Sequence, residues 1–156
     1  MGEVQKIVDQ LQGVWDGEPF HGPAVAPLLA GVPAPAAFAR PLKGVHSIAE
    51  IARHIGTWED IVRRRLEGEV IDTVPDHEDW PRAGDTTPAG WEAIRRELDD
   101  RHARLEGVVA ALPESRLGDA VAARPYDVQY MLHGILQHTL YHAGQIALLK
   151  KAAEEA

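Results

Sequence analysis

The segment QHTLYHAGQIALLKK, residues 137–151, carries two histidines whose spacing suits the binding of a metal ion. His138 and His142 are four residues apart, which in a helix means roughly 6 Å along the axis and directions within ~40° of each other. Both imidazoles can therefore face one ion, although long helices also produce this spacing by chance. The intervening residues include no glutamate, so the zinc-protease pattern HExxH and its mechanism are not supported.

A third histidine has a similarly unusual position in another predicted helix. His54 lies on the apolar stripe of Ile51 and Ile55, where a core residue is expected, and His138 and His142 also share a mostly apolar stripe. Because buried imidazoles without a partner are costly, this pattern suggests that the three converge inside the fold. Three neutral imidazoles would make an open site suited to Zn²⁺, Ni²⁺ or Fe²⁺, whereas a structural zinc site normally has four protein ligands.

Two further residues are placed near this candidate site by helical spacing. Trp58 follows His54 by one turn and is predicted to line a pocket. Gln145 follows His142 by about one turn and is predicted to bond either a metal-bound water or an imidazole N–H. An ordinary glutamine on the helix surface is an equal alternative for Gln145.

The remaining five histidines carry weaker signals. His77, in the acidic stretch DHEDW, could form a surface ion site as a minor alternative, and His133 is predicted to pack near His102 or to meet solvent. His21 and His46 lie beside Gly, Pro or Ser in predicted loops and are not assigned to a site.

Composition limits the classes of partner and chemistry. The 156 residues suffice for one domain, 1–156, and 45% of them are hydrophobic. The net charge of −8, from 16 basic and 24 acidic side chains, argues against nucleic acid or an anionic membrane as a partner. The chain has no cysteine, so any metal must use His, Asp or Glu. No signal peptide or membrane-spanning run is recognised, which favours a cytoplasmic protein.

Apolar residues recur mostly at the helical period and predict four long helices. The first contains Val4 to Trp15, and the second begins at the capping box of Ser47 and Glu50 and stops at Gly68. The third runs from Thr87-Pro88 to the stop at Pro113, and the fourth is capped by Asp127 and runs through Leu149. The expected fold is an all-α four-helix bundle with a long crossover connection over residues 17–46, which holds one short helix.

The other connections are predicted from composition. Residues 69–87 are acidic and rich in turn formers, and Trp80 and Trp91 are predicted to anchor this segment. The run Arg63-Arg64-Arg65 is predicted to form a solvated face, paired with nearby acidic residues of the same helix, Glu59, Asp60 and Glu67.

Three segments together are similar to one known family. HSIAEIARHIGTWEDIVRRRLEG, EDWP and MLHGILQHTLYHAGQIALLKK, with HGPAVAPLLAGV before them, resemble the DinB-like (DinB/YfiT) superfamily over nearly the whole chain. The resemblance implies a four-helix bundle, often homodimeric, and a divalent metal held by three histidines. By position these are His54 in ARHIGTWE and His138 and His142 in QHTLYHAGQ.

The resemblance implies several activities rather than one. The family includes S-transferases that use mycothiol or bacillithiol and a mycothiol-dependent maleylpyruvate isomerase, and family membership does not choose among them. We expect a metal-dependent enzyme, with Zn²⁺ first and Ni²⁺ or Fe²⁺ as alternatives, that transfers a low-molecular-weight thiol to a small electrophile. The alternatives are a metal-dependent hydrolase and a non-catalytic, metal-stabilised binding or dimerisation module related to stress.

Overall fold

The computed structural model describes residues 1–155, which are helical with short connections and a single isolated β-bridge between Ala120 and Asp127. The helices are α1 Glu3–Asp16, α2 Val25–Ala30, α3 Ala34–Phe38, α4 Ile48–Leu66, α5 Asp76–Asp79, α6 Pro88–Ala110 and α7 Val128–Glu155, with a 3-10 turn at Glu114–Arg116. The four long helices α1, α4, α6 and α7 confirm the predicted all-α class and helix order. None of the helices within residues 1–155 is both long and apolar enough to cross a membrane.

Local sequence signals account for the ends of the long helices. The Ser47 hydroxyl accepts a hydrogen bond from Glu50 N–H and the Glu50 carboxylate accepts one from Ser47 N–H, which together form the predicted capping box. Thr87 Oγ1 caps α6 by accepting from Gly90 N–H, and Asp127 Oδ1 accepts from Tyr130 N–H at the start of α7. Gly68, with φ of 96°, ends α4 in the left-handed conformation that glycine tolerates.

The connections differ from the prediction in two places. The crossover contains two short helices, α2 and α3, because Gly31 caps the end of α2 and Pro33 caps the start of α3. The acidic segment 69–87 contains one helical turn, α5, that its turn-rich composition did not indicate.

The apolar core consists of two clusters, one toward each end of the bundle. One surrounds the first half of α4 and the second half of α7, and the other surrounds the end of α4 and the first half of α7. Since α4 and α7 run antiparallel, a level of buried polar side chains separates the clusters in the middle of the bundle. Its members are His54, Thr57, Glu59, His102, Thr139 and His142.

Candidate metal centre

His54, His138 and His142 meet at this middle level between α4 and α7. Each offers one ring nitrogen to a group in which all three nitrogens lie within 4.8 Å of one another, and Nε2 of His54 is 3.0 Å from Nε2 of His138. His54 and His142 are buried and His138 is partly buried. The predicted convergence of three histidines from two helices is therefore present in the structure.

Two of the imidazoles are oriented by acceptors on their outer nitrogens. His54 Nδ1 lies 2.6 Å from the backbone oxygen of Asp79, and His142 Nδ1 lies 2.7 Å from Oε1 of Gln145. An oxygen acceptor requires a proton on Nδ1, so the Nε2 lone pairs of His54 and His142 are free to face the centre of the group. Gln145 thus contacts an imidazole, one of the two roles predicted for it.

The third imidazole supplies the test of whether a cation fits. Nε2 of His138 faces Nε2 of His54, and Nδ1 of His138 is buried with no hydrogen-bond partner in residues 1–155. Two facing lone pairs at 3.0 Å repel each other unless a proton or a cation lies between them. Nitrogens bound to one tetrahedral zinc at about 2.0–2.1 Å would be roughly 3.3 Å apart, so the pair at 3.0 Å is already close to that spacing. The third nitrogen lies within 4.8 Å of both and would complete the set.

The electrostatic environment keeps the imidazoles neutral, which is the form that binds metals. Burial, together with the neighbouring His142 and His54, lowers the pKa of His138 to about 3. Burial likewise lowers the pKa of His54 and of His142, although the backbone oxygen of Asp79 and the amide of Gln145 oppose this change.

The acidic segment 69–87 packs over the histidines through Asp79 and Trp80. The Trp80 ring stacks on His54 and on His46, with ring centroids 3.8 Å apart in both pairs, and it also makes an edge contact with His142. Asp79 Oδ1 accepts a hydrogen bond of 2.7 Å from Trp58 Nε1 and lies 3.3 Å from His54 Nδ1. Trp80 therefore anchors the segment as predicted. The indole N–H of Trp91 donates to the crossover at Val32 O, and the ring belongs to the apolar cluster against which Trp80 packs.

A pocket of about 430 Å³ opens from the three histidines along the groove between α4 and α7. Trp58 lines it, as predicted from its position one turn after His54. The rest of the wall is largely apolar and aromatic, with Asp79 and Arg65 as its charged members; it includes Val62, Trp80, Tyr126, Tyr130, Met131, Ile135 and Tyr141.

The prediction of a fully solvated face on α4 is wrong for two residues. Glu59 is 1% exposed and Arg65 is 8% exposed, whereas Arg63 and Arg64 do pair with carboxylates at the surface. Glu59 faces α6 and pairs with His102, and Arg65 faces the pocket. Glu59 and Arg65 are therefore buried because neighbouring parts of the chain cover their side chains.

The other histidines lie outside the three-nitrogen group. His133 is half-exposed and near Glu3 rather than His102, and His77 is exposed and joins no group of potential ligands in residues 1–155. His46 was not assigned to a site from the sequence, yet it covers the outer face of Trp80.

Sequence reasoning missed Asp79, Trp80 and Arg65 as residues of the site. The sequence relates EDWP to the acidic segment and to a family, but not to the histidines, because a loop has no periodicity that shows which way its side chains point. The position of Trp58 in the pocket wall could be predicted from the sequence, because helical spacing relates it directly to His54.

Comparison with known proteins agrees with this architecture. The family model described as the DinB superfamily matches residues 21–146, which is more than half of the chain. No match was found among curated proteins or among solved structures.

Proposed function

The chain belongs to the DinB superfamily, and we propose that it is a metal-dependent enzyme that transfers a low-molecular-weight thiol to a small electrophile. His54, His138 and His142 would hold the metal, with Zn²⁺ as the first choice and Ni²⁺ or Fe²⁺ as alternatives. The observation that carries the proposal is a group of only three ligand residues at the end of an open pocket. A purely structural zinc site would normally be closed by a fourth protein ligand.

The residues around the group support a role in positioning and in excluding water. A divalent ion held there supplies positive charge, which lowers the pKa of a thiol that reaches it. Asp79 and Gln145 hold the outer nitrogens of His54 and His142, and Trp58 and Trp80 cover the group with apolar surface. An apolar wall strengthens electrostatic interactions inside the pocket.

The lack of cysteine agrees with a thiol that comes from a cosubstrate rather than from the protein. In the transfer, the sulfur forms a bond to the electrophilic carbon, the leaving group departs with its bonding pair, and the thiol proton passes to solvent. The pocket of about 430 Å³ is in the range of small-molecule sites.

A hydrolase is the second candidate, and its general base would be Asp79, whose carboxylate lies in the pocket wall. The stripe of α7 that carries His138 contains no carboxylate. Asp79 Oδ1 already accepts from Trp58 and lies near His54. These contacts favour a positioning role for Asp79 over that of a general base, and so favour the transferase.

The first experiment measures metal content and thiol transfer on untagged protein. We expect about one divalent ion per chain by elemental analysis, and its loss in His54→Ala and His138→Ala. Metal-loaded protein is then assayed with a panel of low-molecular-weight thiols and a fluorogenic bimane electrophile, and the rate is compared with spontaneous conjugation.

His133→Ala is the matched control, because His133 lies on the same helix as His138 but outside the group. We expect it to keep both metal and transfer. Absence of metal in the wild type after zinc or nickel is supplied would exclude the site. Bound metal without transfer above background for any thiol would favour the non-catalytic module, in which the ion only stabilises α4 against α7.

The homodimer expected from the family resemblance stays a prediction. Sedimentation of the metal-loaded protein tests it, and a monomer at micromolar concentration would contradict it.

A further inference from the structure

Arg65 differs from the two arginines that precede it on α4. Arg63 Nη2 lies 2.7 Å from Asp60 Oδ1, and Arg64 Nη2 lies 2.5 Å from a Glu69 carboxylate oxygen. Arg65 has no carboxylate within 4.0 Å in residues 1–155, although acidic side chains outnumber basic ones in the sequence by 24 to 16.

Arg65 is also the most buried of the three, and its guanidinium is only partly satisfied. Nη1 donates to the Tyr126 hydroxyl at 3.1 Å and Nη2 donates to Ile71 O at 2.7 Å, which uses two of its five N–H groups. Nε is buried and has no partner in residues 1–155. A buried cation without an anion is costly, and burial accordingly lowers the pKa of Arg65.

The position of Arg65 connects it to the three histidines. His54 and Arg65 are eleven residues apart, which in a helix is ~16 Å along the axis and within ~20° of the same direction. Both line the same pocket, with Trp58 and Val62 between them. One molecule of moderate length can therefore contact the histidine end and the arginine end at once.

The surroundings of Arg65 add to its positive charge. Arg124 lies close enough to influence it electrostatically, and its guanidinium covers the Tyr126 ring at 5.5 Å. Asp72, which is largely exposed and 3.9 Å from Arg124, is an acidic side chain close enough to influence Arg65 as well. This end of the pocket is thus locally positive in a chain with a net charge of −8.

We infer that the pocket binds a molecule with a carboxylate group and that Arg65 is the residue that recognises this carboxylate. The inference rests on the proposed function in that the same pocket would hold the reactants of the transfer. A guanidinium matches a carboxylate in shape and hydrogen-bond geometry, and charge-assisted bonds of this kind are stronger in a largely apolar pocket than in water. The carboxylate can belong to the thiol cosubstrate or to the electrophile.

The first arm of the test uses metal-free full-length protein and needs no catalysis. Straight-chain carboxylates from butyrate to decanoate and the matching primary carboxamides are titrated into the wild type by calorimetry. We expect the best carboxylate to bind about ten- to one-hundred-fold more tightly than its carboxamide. The ¹⁵Nε–H resonance of Arg65 should shift with the carboxylate and not with the carboxamide.

Arg65→Gln and Arg63→Gln form a matched pair of variants on the same helix. Arg65→Gln should remove the advantage of the carboxylate over the carboxamide, whereas Arg63→Gln should retain it, because Arg63 is neutralised by Asp60 and Glu67. If Arg65→Gln does not fold, the carboxylate and carboxamide comparison and the Arg65 resonance in the wild type still decide the question.

The second arm uses zinc-loaded protein and identifies the source of the carboxylate. Mercaptocarboxylates of increasing chain length, from mercaptopropionate to mercaptoundecanoate, are compared with the corresponding mercaptoamides. An optimum chain length that depends on Arg65 would place the carboxylate on the thiol. Binding of a simple carboxylate alongside mercaptoethanol, without competition, would place it on the electrophile.

Two results would overturn the inference. One is equal affinity of carboxylates and carboxamides for the wild type, including the absence of measurable binding for the whole series. The other is a carboxylate advantage that Arg65→Gln leaves unchanged. Failure of the proposed function is a separate result, because the metal-free arm reports on Arg65 whether or not the histidines bind metal or support transfer.

Discussion

A single histidine, His102, and the group of His54, His138 and His142 lie at the middle level of the bundle. The two differ in what their ring nitrogens contact. On the side of α1 and α6, His102 is 2% exposed, stacks on Trp15 with ring centroids 4.0 Å apart, and has Nδ1 3.1 Å from Glu59 Oε1. The carboxylate partner is itself buried, and each residue of the pair keeps one buried atom without a partner in residues 1–155, His102 Nε2 and Glu59 Oε2. Neither residue of the pair lines the pocket that opens from the three histidines.

On the side of α7, only the outer ring nitrogens have oxygen partners in residues 1–155, and these include the Asp79 carboxylate, 3.3 Å from His54 Nδ1. The outer nitrogens of His54 and His142 contact a carbonyl and an amide, and the inner nitrogens of all three histidines face one another beside a pocket. The contrast teaches that burial alone does not mark a functional histidine. What marks it is a lone pair directed toward a shared point that only a proton or a cation can satisfy.

Substitutions in the three-histidine group and at His102 should differ most in their effect on zinc binding. We expect His138→Ala to lower zinc affinity by at least about a thousand-fold, since one of three ligands is lost, and His102→Gln to leave the zinc content near one per chain. Competition with a chromogenic chelator measures both affinities. Equal loss of zinc in the two variants would mean that the bundle, and not the three-histidine group, controls binding.

The stability of the metal-free protein should depend more on the pair of His102 and Glu59 than on the three-histidine group. Glu59→Ala leaves His102 buried without its carboxylate, so we expect the free energy of unfolding to fall by about 3 kcal/mol. Replacing both residues by leucine should recover most of this loss, because a buried hydrogen-bonded pair can often be exchanged for apolar side chains. Urea denaturation measures all three proteins, and a loss below about 1 kcal/mol for Glu59→Ala would contradict a structural role for the pair.

The acid sensitivity of the metal-free protein should arise from the three-histidine group. Because burial lowers the pKa of His138 from 6.5 to about 3 in the folded state, the unfolded chain binds more protons between these values. Stability is therefore complete above pH 6.5 and falls as the pH is lowered toward about 3, by up to about 1.4 kcal/mol per pH unit for each such histidine. Denaturation of the wild type and His138→Gln at several pH values measures this slope, which should be smaller in the variant.

The smallest expected effect concerns the residue that orients His142. Gln145→Leu removes the acceptor at 2.7 Å from His142 Nδ1 while keeping a side chain of similar size. Zinc affinity should fall about ten-fold or somewhat more, with little change in the stability of the metal-free protein. Gln145→Glu, which retains an oxygen acceptor, should keep the affinity of the wild type; loss of binding in that variant would show that the acceptor is not what matters.

Helical periodicity and capping residues were sufficient to predict the four long helices and the three histidines that converge between two of them. A residue on a helix has a direction that its neighbours in sequence define, so His54, His138, His142 and Trp58 could be related to one another without coordinates. Gln145 was predicted with two alternatives, and the contact with His142 is one that the helix makes locally.

Tertiary packing alone decided which side chains complete the site. Arg65 and Glu59 are charged residues among buried neighbours on α4, and such residues become buried or solvated according to which elements pack beside them. Asp79 and Trp80 reach His54 from a segment with no periodicity, so their contact across about 25 residues depends on how the chain returns over the bundle. Periodicity determines the direction of a side chain relative to its own helix, whereas a contact also requires the position of a second element.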